Sequence, residues 1–148
     1  MKQQDALRQA MRKAAQTRAQ LAAILGVSQR ALDKWLLPDA SGDFRRMPET
    51  AWRLLGNQYG IRKSEGLSMP YDWPNPGMAD DALIISVLRR ANFPDLVRLC
   101  ADLGLDAVRG KVDATLSVVP ESERNILARI LTRMLRSIDI AFNQRHAA

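Results

Sequence analysis

The stretch from Thr17 to Leu36 constrains the fold more than any other part of this 148-residue chain. Thr17 and Gln20 have the spacing of a capping box, in which each side chain binds the backbone amide of the other residue. Gly26 lies six positions after Gln20, and glycine adopts the left-handed backbone of a tight turn without steric cost. Ser28 is then placed to cap a second helix. The pattern predicts two short helices joined by a turn, over residues 18–25 and 29–36.

The apolar residues of this stretch lie where two crossing helices would touch. Ala22 is small at the expected crossing point, and the locking contacts are expected from Leu21, Leu25, Val27, Leu32 and Trp35. The stretch resembles the helix-turn-helix of phage-repressor and Xre-like transcriptional regulators. The resemblance covers about residues 4–59, because Arg45–Leu55 looks like the next helix of such domains, with Trp52 and Leu55 closing the core.

The resemblance implies that the second helix lies in the major groove of double-stranded DNA, with its N-terminal residues toward base edges. Gln29 would then pair with adenine and Arg30 with guanine, because their forked groups match those edges. Lys34, further along the helix, would contact a phosphate. The carboxylate of Asp33 would be repelled unless it accepts from a cytosine amine or pairs with Arg30 or Lys34. The alternative for this face is that it is simply solvated.

Residues beside the predicted recognition helix complete the expected DNA contact. Thr17 and Arg18 lie at the positive end of the preceding helix, where a phosphate is favoured. Arg45 and Arg46, in the loop after the recognition helix, would either hold a second phosphate or remain solvated. The predicted DNA-binding residues are Thr17, Arg18, Ser28, Gln29, Arg30, Lys34, Arg45 and Arg46.

The positive charge of the chain is concentrated in its first half. The formal net charge is +6; residues 1–66 contain 12 Lys and Arg and 6 Asp and Glu, whereas residues 67–148 contain 10 of each class. A localised basic excess is expected of a surface that meets phosphates. Composition alone leaves a solubilising charge as an equal alternative, and the motif favours DNA.

The remaining sequence predicts an all-α protein with two helical regions. Residues 1–60 form the expected DNA-binding domain, 61–79 a connector rich in Pro and Gly, and 80–148 a helical dimerisation or partner-binding domain. A helix cannot continue through so many breakers. Residues 115–119 are locally strand-like. Further helices are predicted over residues 5–15, 48–55 (with Gly56 as terminator), 80–91, 94–103, 105–116 and 121–145.

The last predicted helix carries one continuous apolar stripe. The stripe is long enough to serve both an internal core and a two-fold homodimer, which would place two recognition helices on a palindromic site. Arg129, Arg133 and Arg136 would form a second nucleic-acid surface or a solvated face. The stripe comprises Ile126, Leu127, Ile130, Leu131, Met134, Leu135, Ile138 and Phe142.

A protein partner is the competing hypothesis for the second half. Residues 71–84 and 93–100 resemble small proteins encoded beside nucleotidyltransferase-type toxins. The resemblance implies an antitoxin-like protein that neutralises a toxin through residues 71–148 and regulates its own operon. Within this part, residues 71–76 place aromatic side chains beside prolines, as a docking segment or as a strap packed on the C-terminal helices.

Residues suited to catalysis or metal binding are scarce. The one cysteine, Cys100, lies in an apolar stretch, where we expect a small core residue. The one histidine, His146, is third from the end. The sequence has no metal-ligand spacing and no glycine-rich phosphate loop, so we expect no enzyme activity, no metal and no cofactor. The longest apolar runs are too short to cross a bilayer, and we expect a cytoplasmic protein.

Overall fold

The computed structural model describes residues 1–146, and the side chains of residues 1–144. Within that range the secondary structure consists of nine α-helices without a strand, which confirms the all-α class. The side chain of His146 lies outside the described part. The helices are α1 Gln3–Lys13, α2 Arg18–Ile24, α3 Gln29–Leu36, α4 Glu49–Tyr59, α5 Asp80–Arg90, α6 Phe93–Leu103, α7 Leu105–Arg109, α8 Val112–Ser117 and α9 Glu121–His146.

The chain forms two compact units. Unit 1 comprises Met1–Glu65 and Asp72–Ala79, and unit 2 comprises Gly66–Tyr71 and the chain from Asp80 onward. The segment over 61–79 therefore contributes residues to both units. All three tryptophans belong to unit 1 and the single cysteine belongs to unit 2. Each unit thus carries its own spectroscopic or chemical probe.

The core of unit 1 is built from the apolar faces of α1 to α4. Leu7, Leu21, Leu32 and Leu55 are fully buried, and both Trp35 and Trp52 are nearly so. The residues expected to lock α2 against α3 are therefore inside, except that Val27 is only partly buried. Burying a leucine side chain contributes about 2 kcal/mol relative to leaving it exposed.

The prediction that α4 ends at Gly56 is wrong. The helix continues to Tyr59, and Gly60 caps it in the left-handed region, with φ of 66°. Gly56 serves another purpose, because a Cβ atom on it would overlap the ring of Pro76. The glycine is needed for close packing of the 72–79 segment within unit 1, and its weak helix propensity is overridden by that contact.

A buried polar network fastens the same segment inside unit 1. The carboxylate of Asp72 is fully buried and accepts hydrogen bonds from the Lys63 amide (3.0 Å) and the Ser64 hydroxyl. Lys63 Nζ donates to the carbonyl of Met78 at 2.7 Å and lies 5.4 Å from the Trp52 ring. Segment 71–76 is therefore fixed within unit 1 at Asp72, whereas Tyr71 belongs to unit 2. Trp73 is 66% exposed, so a docking role for this segment stays a prediction.

Two predictions for unit 2 also need correction. Residues 105–116 form two short helices, since α7 ends at Arg109 and is capped by Gly110, a poor helix former. The strand-like residues after 114 are not a strand, because α8 runs to Ser117. Thr115 is accommodated in that helix by donating its hydroxyl to the carbonyl of Lys111 at 2.8 Å.

Asp95 organises the part of unit 2 that precedes α5. It is 3% exposed and accepts from the Ser68 amide (2.8 Å), the Ser68 hydroxyl (2.5 Å) and the Tyr71 hydroxyl (2.6 Å). Burial alone would raise the pKa of Asp95, but these hydrogen bonds hold it below the ordinary 3.8. The stabilisation is thus complete above about pH 4 and is lost as the pH falls through the lower pKa of the folded state.

Replacing Asp95 by Ala should loosen unit 2, because it leaves the Ser68 amide and two hydroxyls without an acceptor. The buried Cys100 reports this opening, since burial raises the pKa of its thiol to about 11 and keeps it unreactive. We expect Cys100 in Asp95→Ala to react with a thiol reagent at pH 8 about tenfold faster or more than in the unchanged protein. Asp113→Ala, on the exposed side of α8, is the control. Equal rates for both variants would contradict this role of Asp95.

Candidate nucleic-acid interface

The caps of α2 and α3 are those expected from the sequence. The Thr17 hydroxyl accepts from the Gln20 amide at 3.3 Å, and the Gln20 side chain accepts from the Thr17 amide at 2.9 Å. Ser28 Oγ accepts from the Ala31 amide at 3.1 Å. Gly26 is left-handed, with φ of 68°. Local hydrogen bonds therefore fix where both helices begin.

A buried glutamine, which the sequence analysis missed, holds the far end of α3. Gln3 Nε2 donates to the carbonyls of Trp35 and Arg45, each at 2.8 Å, and Gln3 Oε1 accepts from the Met47 amide at 2.9 Å. Gln3 is 7% exposed. One side chain on α1 thus satisfies three backbone groups at the end of α3 and in the loop after it.

The N-terminal residues of α3 are directed to solvent. Ser28, Gln29 and Arg30 are all exposed, whereas Leu32 and Trp35 on the opposite face are buried. Within the described part of the chain, the side chains of Gln29 and Arg30 make no hydrogen bond or ion pair. The amide fork and the guanidinium are therefore available to an external ligand.

Arg18 and Asp33 join α2 to α3 across the exposed surface. Arg18 Nη1 lies 3.0 Å from Asp33 Oδ1, with both side chains largely in solvent. From the sequence, Asp33 is predicted to pair with Arg30, with Lys34 or with a cytosine, and Arg18 is predicted to bind a phosphate. The arginine instead neutralises the carboxylate, and it leaves Arg30 free.

The other predicted cations are arranged around the second half of α3. Lys34 Nζ lies 4.0 Å from Asp43. The Arg45 amide donates to the Lys34 carbonyl at 3.3 Å, while its guanidinium donates to the carbonyls of Gly42 and Phe44 at 3.2 and 2.7 Å. The Arg46 guanidinium lies 6.0 Å from the Phe44 ring. Arg45 is thus placed beside α3, but its guanidinium is engaged by its own loop.

The charge balance of unit 1 differs from that of unit 2. Over the ranges of the two units, unit 1 contains 12 Lys and Arg and 7 Asp and Glu, a formal charge of +5, whereas unit 2 contains 10 and 9, a charge of +1. Nearly all of the excess positive charge is therefore carried by the unit that exposes α3. Such an excess attracts a polyanion and orients its approach.

Among the residues whose side chains are described, 1–144, no group of three or more His, Cys, Asp or Glu is placed to hold a metal ion. No helix in the described range is long and apolar enough to cross a membrane. Comparisons with protein-family models, with curated proteins and with solved structures found no match to this chain. The function of the candidate site is therefore inferred from its geometry and charge alone.

Proposed function

We propose that unit 1 binds double-stranded DNA in a sequence-specific way, with α3 in the major groove, and that the chain regulates transcription. The observation that carries the proposal is the pair of unengaged side chains, Gln29 and Arg30, at the exposed start of a rigidly capped helix. An amide fork matches adenine and a guanidinium matches guanine, and each such contact discriminates by about 1–3 kcal/mol against the wrong base.

The surroundings of α3 support contact with the phosphate backbone. The Thr17 hydroxyl accepts its capping bond and still has a proton to donate, at the N-terminus of α2 where helix amides favour an anion. Lys34 is held only by a long contact to Asp43, at the 4.0 Å limit of an ion pair. Arg46 is exposed in the following loop. These groups would fix the orientation of α3 on the duplex, while Gln29 and Arg30 supply the base contacts.

A protein that occupies a promoter in this way most simply represses it by blocking access. We therefore propose repression, including that of its own gene, as the regulatory outcome. The test is binding of the purified protein to a duplex from upstream of its own gene and to a shuffled duplex of equal length, over a series of salt concentrations. Preference for the first duplex at every salt concentration supports the proposal, and equal binding overturns it.

Lys34→Ala separates phosphate contacts from base contacts in the same experiment. We expect it to lower the affinity for both duplexes by the same factor. It should also reduce the slope of log affinity against log salt concentration by about 0.9, the value for one phosphate contact. Arg89→Ala is the matched control, because it removes one exposed positive charge from α5 in unit 2. A loss confined to the upstream duplex would instead place Lys34 on a base.

Asp33→Asn should strengthen DNA binding. The substitution removes a carboxylate from the surface that faces phosphates and releases Arg18 from its ion pair, so that one more cation can reach the backbone. We expect affinity for both duplexes to rise about threefold to tenfold at low salt, with a steeper salt dependence. Fluorescence anisotropy measures both quantities.

The control for this prediction is Asp113→Asn, which removes the same charge from unit 2. It should leave affinity nearly unchanged. If Asp33→Asn lowers affinity and the loss is confined to the upstream duplex, the carboxylate accepts a hydrogen bond from a base and the assignment of Arg18 as its partner in the complex is wrong.

A further inference from the structure

The exposed face of α9 carries a second apolar line, where Glu123, Ile126 and Ile130 line an open groove together with Arg89 and Arg90. The predicted apolar stripe divides, because Leu127, Leu131, Leu135 and Ile138 are buried whereas Ile126 is 63% and Ile130 is 39% exposed. The exposed isoleucines belong to a series with alternating spacing of three and four residues, every member of which is exposed. The series is Glu123, Ile126, Ile130, Arg133, Ser137, Ile140 and Gln144.

Spacing of three and four residues places these side chains along one line on the helix, about 32 Å long at 1.5 Å per residue. Such a line is the geometry by which one helix packs against another at a small crossing angle. Within the described part of the chain, Glu123 and Arg133 form no ion pair. The line therefore carries three exposed isoleucines, of which Ile126 and Ile130 are flanked by two unpaired charges of opposite sign.

We propose that a second copy of this chain packs on this face, with the two α9 helices antiparallel about a two-fold axis between Ile126 and Ile130. Two-fold symmetry requires that when residue i contacts residue j, residue j also contacts residue i. Ile126 then packs on Ile130 of the second copy, and Ile130 packs on its Ile126. The two-fold axis therefore produces two equivalent contacts between Ile126 and Ile130.

The charges select this register. Glu123 lies three residues before Ile126 and Arg133 three residues after Ile130, so Glu123 comes opposite Arg133 of the second copy, again twice. A shift by one heptad would place Arg133 against Ile130 and would desolvate a guanidinium without an acid. A parallel pair would set Glu123 against Glu123 and Arg133 against Arg133. Of these three arrangements, only the antiparallel one centred between Ile126 and Ile130 sets Glu123 opposite Arg133.

This inference deepens the proposed function, because a two-fold dimer would present two α3 helices to a palindromic site. Dimerisation is nevertheless measured without DNA, by sedimentation equilibrium at protein concentrations up to about 100 µM. The unchanged chain should be a dimer. Ile126→Asp should be monomeric with an unchanged helical signal, since this side chain is mostly outside the core of unit 2. Its melting temperature should equal that of the unchanged chain at concentrations too low for dimerisation.

A charge exchange tests the register. Glu123→Arg alone and Arg133→Glu alone should each raise the dimer dissociation constant about tenfold, because two attractive pairs become repulsive. The double variant should return it to within about threefold of the original value. Asp113→Arg, which reverses one exposed charge on α8 and not on this line of α9, is the control and should have little effect.

Two results would overturn the proposal. One is a chain that stays monomeric over the whole concentration range, which would leave this face to a different protein. The other is a dimer for which the double variant is as weak as either single variant or for which none of the exchanges matters. Either result leaves the DNA-binding proposal intact if the unchanged chain still prefers its upstream duplex, so the two failures are distinguishable.

Discussion

Arg30→Ala should abolish most of the preference for the upstream duplex. Arg30 is exposed and unpaired at the start of α3, so its removal disturbs no contact within the described part of the protein. Loss of a bidentate contact with guanine costs about 1–3 kcal/mol, which is roughly a fivefold to 150-fold decrease in specific affinity. Binding to the shuffled duplex should fall only slightly, and anisotropy titrations of both duplexes measure the difference.

Two controls make the Arg30 result interpretable. The urea midpoint followed by tryptophan fluorescence should be unchanged, since all three tryptophans report on unit 1. Lys34→Ala removes an equal charge from the same helix and should lower both affinities together. If Arg30→Ala behaves like Lys34→Ala, the arginine contacts a phosphate and the proposed specificity resides elsewhere.

Gln3→Ala should destabilise unit 1 by about 2–4 kcal/mol, the cost of leaving several buried backbone groups without partners. The side chain satisfies the carbonyls of Trp35 and Arg45 and the amide of Met47. Urea unfolding followed by tryptophan fluorescence should show the loss as a lower midpoint with a similar slope. Because Gln3 fixes the end of α3, we also expect weaker DNA binding near the new midpoint.

Gln9→Ala is the matched control for this prediction. It lies on the same helix, and its amide donates to Glu65 at 3.0 Å in an exposed position. Its removal should cost less than about 1 kcal/mol. A Gln3 variant no less stable than the Gln9 variant would show that water replaces the lost partners and that the glutamine is not needed to hold α3.

The sequence was sufficient to predict the features that depend on neighbouring residues. Each of these features involves groups within a few positions of one another, so the residue types and their spacing are enough to predict it. They are the capping box of Thr17 and Gln20, the turn at Gly26 and the cap at Ser28. The burial of Cys100 followed from the apolar residues around it. Helix boundaries within about two residues follow for most elements for the same reason.

Features that depend on distant residues could not be predicted in this way. Gln3 finds its partners 32 to 44 positions further along the chain, and the pairing of Arg18 with Asp33 depends on the angle at which α2 and α3 cross. α4 continues through Gly56 because Pro76 packs there. Periodicity predicted the apolar stripe of α9, but only the surrounding helices decide which half of it is buried.

The most direct test of the central claim asks whether Arg30 contacts the N7 atom of one particular guanine. Each guanine of the preferred duplex is replaced in turn by 7-deazaguanine, which lacks the N7 acceptor that an arginine fork needs. Affinities are then measured for the unchanged protein and for Arg30→Ala. We predict that replacing one particular guanine in each half of the site lowers the affinity of the unchanged protein about tenfold. The same replacement should leave the affinity of Arg30→Ala unchanged. Losses that are equal for both proteins at every guanine would contradict base recognition by Arg30.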